Sequence, residues 1–179
     1  ACSGRPVGAR TGMLAASFVR RDAERRANRR PRLKPILITR EIAAPTVRVF
    51  RAVADASEFA KAQPQIVSIE FLSDRRSGVG TRFRETRVMG GRQASTELEV
   101  TEWVQDRRVR IVADSHGCVW DTVFEVEPAG GATRLVMRME ARPHKLIARI
   151  MTPLLMPMVR KAVEADMDRV KAYCESAAG

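Results

Sequence analysis

Six runs of strand character succeed one another between residues 66 and 141 with only turn residues between them, and that succession constrains the fold more than any other feature. They are Ile66 to Ser73, Thr81 to Met89, Arg92 to Val104, Arg107 to Asp114, Cys118 to Glu127 and Thr133 to Ala141. The separators are Ser77-Gly78-Val79-Gly80, Gly90-Gly91, Gln105-Asp106, Ser115-His116-Gly117 and Pro128-Ala129-Gly130-Gly131. Short links rich in glycine and polar turn residues fold a strand back on its neighbour, so the six runs predict an antiparallel meander. Parallel strands need crossover helices, and none of these links is long enough to hold one.

Helical patterns flank the meander. Ile36 to Ile42 reads as a first strand ending at Ala44-Pro45, and Thr46 to Ala54 then puts Val47, Phe50, Val53 and Ala54 on one helical face. A second short helix is predicted around Ser57 to Ala62, ending before Pro64. After the strands, His144 to Glu175 reads as a long helix whose first part should be broken or kinked by Pro153 and Pro157. Beyond them Val159, Val163, Met167 and Val170 share a face, with Tyr173 and Cys174 beside it. Arg160, Lys161, Glu164, Asp168, Arg169 and Lys171 fall mainly on the other side, with Glu164 and Asp168 placed to pair with later basic residues. The class is α+β. A seven-stranded antiparallel sheet has one face to bury, and one that curls around a long helix leaves room for an internal cavity.

Charge separates the ends of the chain. The net charge is +11, of which residues 1–35 carry +8 and the other 144 residues only +3. The segment RRDAERRANRRPRLKP has no apolar face wide enough to join a core, so residues 1–35 are predicted to be a disordered basic extension and residues 36–176 the folded domain. Weak contact with anionic membrane or nucleic acid, or organelle targeting, are the other roles open to such an extension. The short apolar stretch Met13 to Val19 runs straight into Arg20 and Arg21, which does not fit a secretory signal. The richest apolar run, Leu146 to Val159, is interrupted by Arg149, Thr152, Pro153 and Pro157, so no spanning helix is expected. Cys2, Cys118 and Cys174 are odd in number and far apart, which fits a reducing, cytoplasmic setting better than a disulfide scaffold or a zinc module.

Strand alternation also predicts which side chains face the sheet's concave side. With Phe83 as an inward marker, Thr81, Glu85 and Arg87 share its face while Arg82, Arg84 and Thr86 face water. The corresponding sets are Thr96, Leu98 and Val100; Val109 and Ile111; Trp120, Thr122 and Phe124; and Leu135, Met137 and Met139. Met156, Val159, Val163 and Met167 would face them from the helix, and methionines suit a flexible apolar ligand as well as a plain core. Glu85 and Arg87 either pair, engage a polar ligand head, or stay solvated near the sheet's open end. His116 and His144 have no evident partner and are expected at the surface, and Cys118 and Cys174 are expected to be buried thiols. No GxxxxGK[ST], HExxH or GxSxG pattern is present, and no metal or cofactor is predicted. Gly78 and Gly80 fit a tight turn rather than a phosphate cradle, because no helix begins after them.

The ordered series of elements carries a resemblance. ITREIAAPTVRVFRAVAD resembles the opening of START-like helix-grip domains, and IVSIEFLSDRRSGVGTRFRETRVMGGRQASTELEVTEW resembles the GxGTRF and Glu-Val-Thr-Glu-aromatic pattern of the polyketide cyclase/dehydrase and lipid-transport branch of that superfamily, SRPBCC. TRLVMRMEARP and LIARIMTPLLMPMVRKAVEADMDRVKAYCE are similar to its last strand and helix. The segment Phe59-Ala60-Lys61-Ala62 departs from the pattern by lacking a tryptophan. The resemblance implies a helix-grip fold and a carrier or sensor that binds a lipid, isoprenoid or polyketide-like molecule between sheet and helix. It also implies, as the alternative, a cyclase or dehydrase using the same cavity, with Glu85, Arg87, Thr96 and Thr122 as its polar candidates.

Overall fold

The structure, a computed structural model, describes residues 33–176. The expectations for the basic extension, whether disorder, membrane contact, nucleic-acid contact or targeting, lie outside the described residues up to position 32. Strand β1 (Ile36–Ile42) buries Ile36, Ile38 and Ile42 and exposes Leu37, the period-two pattern of a strand with one face in a core. Pro45 ends it and sits at the N-cap of helix α1 (Thr46–Ala54), where a missing backbone N–H costs nothing. Asp55 then closes α1 and caps α2 (Ala56–Ala62), its carboxylate accepting from Ser57 N at 2.8 Å and Glu58 N at 3.1 Å.

The meander comprises β2 (Ile66–Phe71), β3 (Arg82–Met89), β4 (Arg92–Val104), β5 (Arg108–Ser115), β6 (Cys118–Ala129) and β7 (Ala132–Pro143). All pairings are antiparallel, and β1 adds to the far edge beside β7 to give the order β1-β7-β6-β5-β4-β3-β2. Register slips between Ile66 and Ser68 and between Val100 and Glu102 increase twist locally and help the sheet curl. The β6–β7 turn is tighter than the sequence suggests: Pro128 and Ala129 pair with Thr133 and Ala132, so only Gly130 and Gly131 turn the chain. Pairing on both sides of the turn outweighs the usual bias against proline in a ladder, which is weakest at a strand end.

The long helix α3 (Leu146–Ser176) runs through Pro153 and Pro157 without the expected break. It packs against β1, β7 and the two short helices rather than across the middle of the sheet. Arg48 donates to the carbonyl oxygens of Tyr173 and Cys174 at 3.0 Å, satisfying acceptors that a helix end leaves without partners. Arg40 pairs with Asp168 at 2.6 Å, and Tyr173 donates its hydroxyl to Glu58 at 2.7 Å. The predicted pairing of Glu164 and Asp168 with later bases is therefore corrected: Glu164 meets Arg160, one turn earlier, and Asp168 meets β1. Among the described residues no helix is long and apolar enough to cross a membrane.

The main core lies where α1, β1, β7 and the end of α3 meet. Phe50, Val49, Leu135, Val126 and Val170 are buried there, and Phe50 meets Trp103 edge-on at 5.1 Å between centroids. On the convex side Asp121 is buried by its own partners, Arg110 and Arg142, so its charge is balanced where it loses water.

Candidate functional site

The helix packs most extensively against the β1–β7 side of the sheet and reaches β3 through the Asp166–Arg87 pair, and the space left between α3 and strands β3 to β7 is a pocket of about 420 Å³. Its walls follow from strand alternation. Phe83, Glu85 and Arg87 come from β3; Thr96 and Leu98 from β4; Ile111 from β5; Trp120, Thr122 and Phe124 from β6; Met137 and Met139 from β7. Val159, Val163 and Met167 face them from α3. The register holds these side chains in rows: Leu98 pairs with Ala113 and Ala113 with Trp120, while Ile111 pairs with Thr122 and Thr122 with Met139.

Five residues of the predicted inward sets lie elsewhere: Thr81, Val100 and Val109 are buried outside the pocket lining, and Leu135 and Met156 are displaced for reasons of their own. Leu135 is on the inward face of β7 but near the end where Thr133 bonds Ala44 O at 2.7 Å, so it is buried in the core beneath the start of α1. Met156 follows Ala148 and Thr152 at four-residue spacing and packs near Cys118, Ala141 and Ala148 rather than on the pocket wall. The structure adds Val53 of α1, Ala56 and Phe59 of α2, Ala94, Ala113 and Ser115 of the sheet, and Met158, Ala162 and Asp166 of α3. The strand additions share a period-two face with residues already singled out. The short-helix additions depend on how α1 and α2 dock, which strand periodicity does not report.

Asp166 is the addition with the most chemistry. It is buried on the apolar side of α3, three residues after Val163 and four before Val170. Its carboxylate accepts from Arg87 Nη1 at 2.7 Å, Gln65 Nε2 at 2.8 Å and Arg169 Nη2 at 2.5 Å. Arg87 also pairs with Glu85 through Nε and lies over the Phe59 ring, 5.9 Å from its centroid. Gln63, fully buried, donates to Asp166 O at 2.9 Å and accepts from Arg169 Nε at 2.8 Å. Burial opposes the Arg87 charge, but Glu85 and Asp166 more than offset it and hold the guanidinium above its ordinary pKa. Glu85 and Arg87 are thus paired at the pocket wall, which overturns the solvated reading. Two guanidinium groups and two carboxylates balance, so the patch offers directed hydrogen bonds rather than a net charge.

His116, His144, Cys118 and Cys174 are not among the residues that line the pocket. His144 is exposed but has a partner after all, donating from Nε2 toward Asp114 at 3.0 Å, and His116 is exposed in the β5–β6 turn. Both histidines lie outside the pocket lining. Cys118 and Cys174 are buried and free. Burial pushes the Cys174 thiol up to about 11 and raises Cys118 as well, so neither is a thiolate at neutral pH.

The fold is shared with solved structures. TTHA0849 from Thermus thermophilus superposes with a TM-score of 0.67 at 21% identity, covering 82% of this chain and all of that one. The di-domain ARO/CYC StfQ from the steffimycin biosynthetic pathway gives a TM-score of 0.72 at 14% identity, covering 97% of this chain and 63% of that one. Ara h 8.0201 gives 0.63 at 14% identity over 80% of this chain and 98% of its own. No curated protein sequence matches the chain significantly. The family model described as polyketide cyclase / dehydrase and lipid transport matches residues 37–175, nearly the whole of the described fold. With the seven-stranded curved sheet, the two short helices after β1 and the long closing helix all in place, the chain belongs to the polyketide cyclase / dehydrase and lipid transport family.

Proposed function

We propose that the domain binds one apolar or amphipathic small molecule, of lipid, isoprenoid or polyketide type, in the pocket between sheet and α3, as a carrier or sensor. The observation that carries this reading is the pocket itself. At about 420 Å³ it falls within the usual range of small-molecule sites, and its lining is mostly apolar, with its charged groups gathered in one patch and the hydroxyl residues Thr96, Ser115 and Thr122 on the sheet wall. Methionine and aromatic walls take a flexible apolar body, while Glu85, Arg87 and Asp166 offer donors and acceptors to one polar end. Since Arg169 brings the patch to two guanidinium groups against two carboxylates, a hydroxyl or carbonyl head fits it better than a strong anion.

A second reading has support in the same patch. Carboxylates and a guanidinium beside a pocket shaped for a folded chain are groups that can direct proton transfer, and the di-domain ARO/CYC StfQ shares the fold. One experiment separates the two: native mass spectrometry of the purified full chain, followed by extraction of the bound mass and its re-incubation with protein. A stoichiometric apolar mass recovered unchanged supports a carrier or sensor. A mass that is converted supports catalysis. A protein that stays empty when offered fatty acids, isoprenoids and aromatic polyketides overturns both.

A further inference from the structure

The first half of α3 is packed unlike the second. Between Leu146 and Met158 only Ala148 and Thr152 are buried, with Met156 half-buried behind them, so a narrow stripe of four-residue spacing holds the helix to the domain. Leu146, Ile147, Ile150, Met151, Leu154, Leu155 and Met158 are exposed, Ile147 to 78% and Leu154 to 71%. At 3.6 residues per turn these seven occupy about half of the helix circumference, opposite the buried stripe. Single exposed apolar residues need no explanation, whereas a continuous face of this kind marks a place where something else binds.

Charge identifies the occupant. From Pro143 to Val163 the sequence holds Lys145, Arg149, Arg160 and Lys161 and no acidic residue. All four bases are exposed. A second copy of the chain in a two-fold interface would bring these bases onto themselves, which disfavours a dimer through this face. Large apolar side chains framed by basic ones instead match the boundary between acyl chains and anionic headgroups. The apolar segment is about 20 Å long, too short to span a bilayer and long enough to lie along one.

We infer that the N-terminal half of α3 is a docking face for an anionic lipid bilayer, with Ile147, Ile150 and Leu154 entering the acyl boundary and Lys145, Arg149 and Lys161 meeting headgroups. Met158 belongs both to this face and to the pocket wall while remaining 64% exposed, so docking would bring the bilayer to the pocket's mouth. The inference does not depend on the pocket holding a ligand.

The test is co-sedimentation of the full chain with vesicles of phosphatidylcholine, with and without phosphatidylserine. The wild type should bind the phosphatidylserine vesicles. The triple variant Ile147→Gln, Ile150→Gln, Leu154→Gln should lose more than about tenfold in affinity, because each change removes a large apolar group from the acyl boundary. These side chains face solvent, so circular dichroism should be unchanged. Lys145→Gln with Lys161→Gln should remove the preference for phosphatidylserine while leaving the fold intact. Equal binding by wild type and triple variant would assign the contact to residues 1–32 and overturn the inference. So would absence of vesicle binding, or a wild-type dimer that the triple substitution converts to monomer. Because vesicles replace the pocket ligand as the probe, this result and the extraction experiment can fail separately.

Discussion

Asp166 shows how one side chain couples three elements. Its carboxylate sits where α3 is apolar, and it is tolerated because Arg87 of β3, Arg169 of α3 and Gln65 before β2 all donate to it. Removing one member of a buried pair costs more than the pair contributes, since the remaining charge is left without its partner. Asp166→Ala should therefore destabilise the domain by roughly 2–4 kcal/mol, the lower part of the range reflecting the partial exposure of Arg169. Asp166→Asn keeps an acceptor and should cost roughly 1–2 kcal/mol. Urea denaturation with an unchanged slope checks both, and equal stability of Asp166→Ala and wild type would show that the network is not held together in solution. The residue is readable in principle as an acid at i+3 from Val163 and i−4 from Val170. Attention to the charges on the polar side passes it over, because a carboxylate on an apolar stripe makes sense only once its donors on other elements are known.

At the scale of elements, the turn before α3 determines where that helix begins. Gly117 accepts at its carbonyl from His144 N at 2.9 Å and Lys145 N at 3.1 Å, and its backbone has φ near 79°. A Cβ there would meet the Lys145 side chain at 2.6 Å. Gly117→Ala combines left-handed strain with that close approach, and a loss of roughly 1–3 kcal/mol is expected, read by thermal or urea unfolding. An unaffected midpoint would mean that Lys145 swings away freely and that the turn does not anchor the helix. The strand boundaries were legible for a related reason: turn residues with positive φ, such as Gly90, Gly91, Gly130 and Gly131, mark hairpins by local chemistry alone. The course of α3 was less legible. Proline argues for interruption at Pro153 and Pro157, but a helix held by its neighbours at both ends can carry the missing bonds.

For the whole molecule, the pocket exists because α3 packs closely on the β1–β7 side and meets the far side of the curved sheet mainly through Asp166, which leaves space between. Its volume is therefore space that added methylenes should occupy without strain. Ala113→Leu, in the row between Leu98 and Trp120, should leave stability equal or raise it by about 1 kcal/mol, while reducing any bound apolar mass. A loss of roughly 1–3 kcal/mol would instead indicate a close-packed wall. Thermal denaturation and native mass spectrometry on the same sample distinguish these outcomes.

The succession of strands, the two short helices, the long closing helix and the inward faces of β3 to β7 were decided by local periodicity and turn chemistry, which the sequence states directly. Tertiary structure alone decided which inward residues meet empty space and which meet another element. Leu135 and Met137 are two positions apart on one face of β7, yet Leu135 packs in the core near the start of α1 and Met137 lines the pocket. Alternation assigns a side chain to a face, but the distance from that face to whatever covers it depends on sheet curvature and on where α3 is tied down. Those depend on contacts between residues far apart in the chain, such as Arg40 with Asp168 and Arg87 with Asp166.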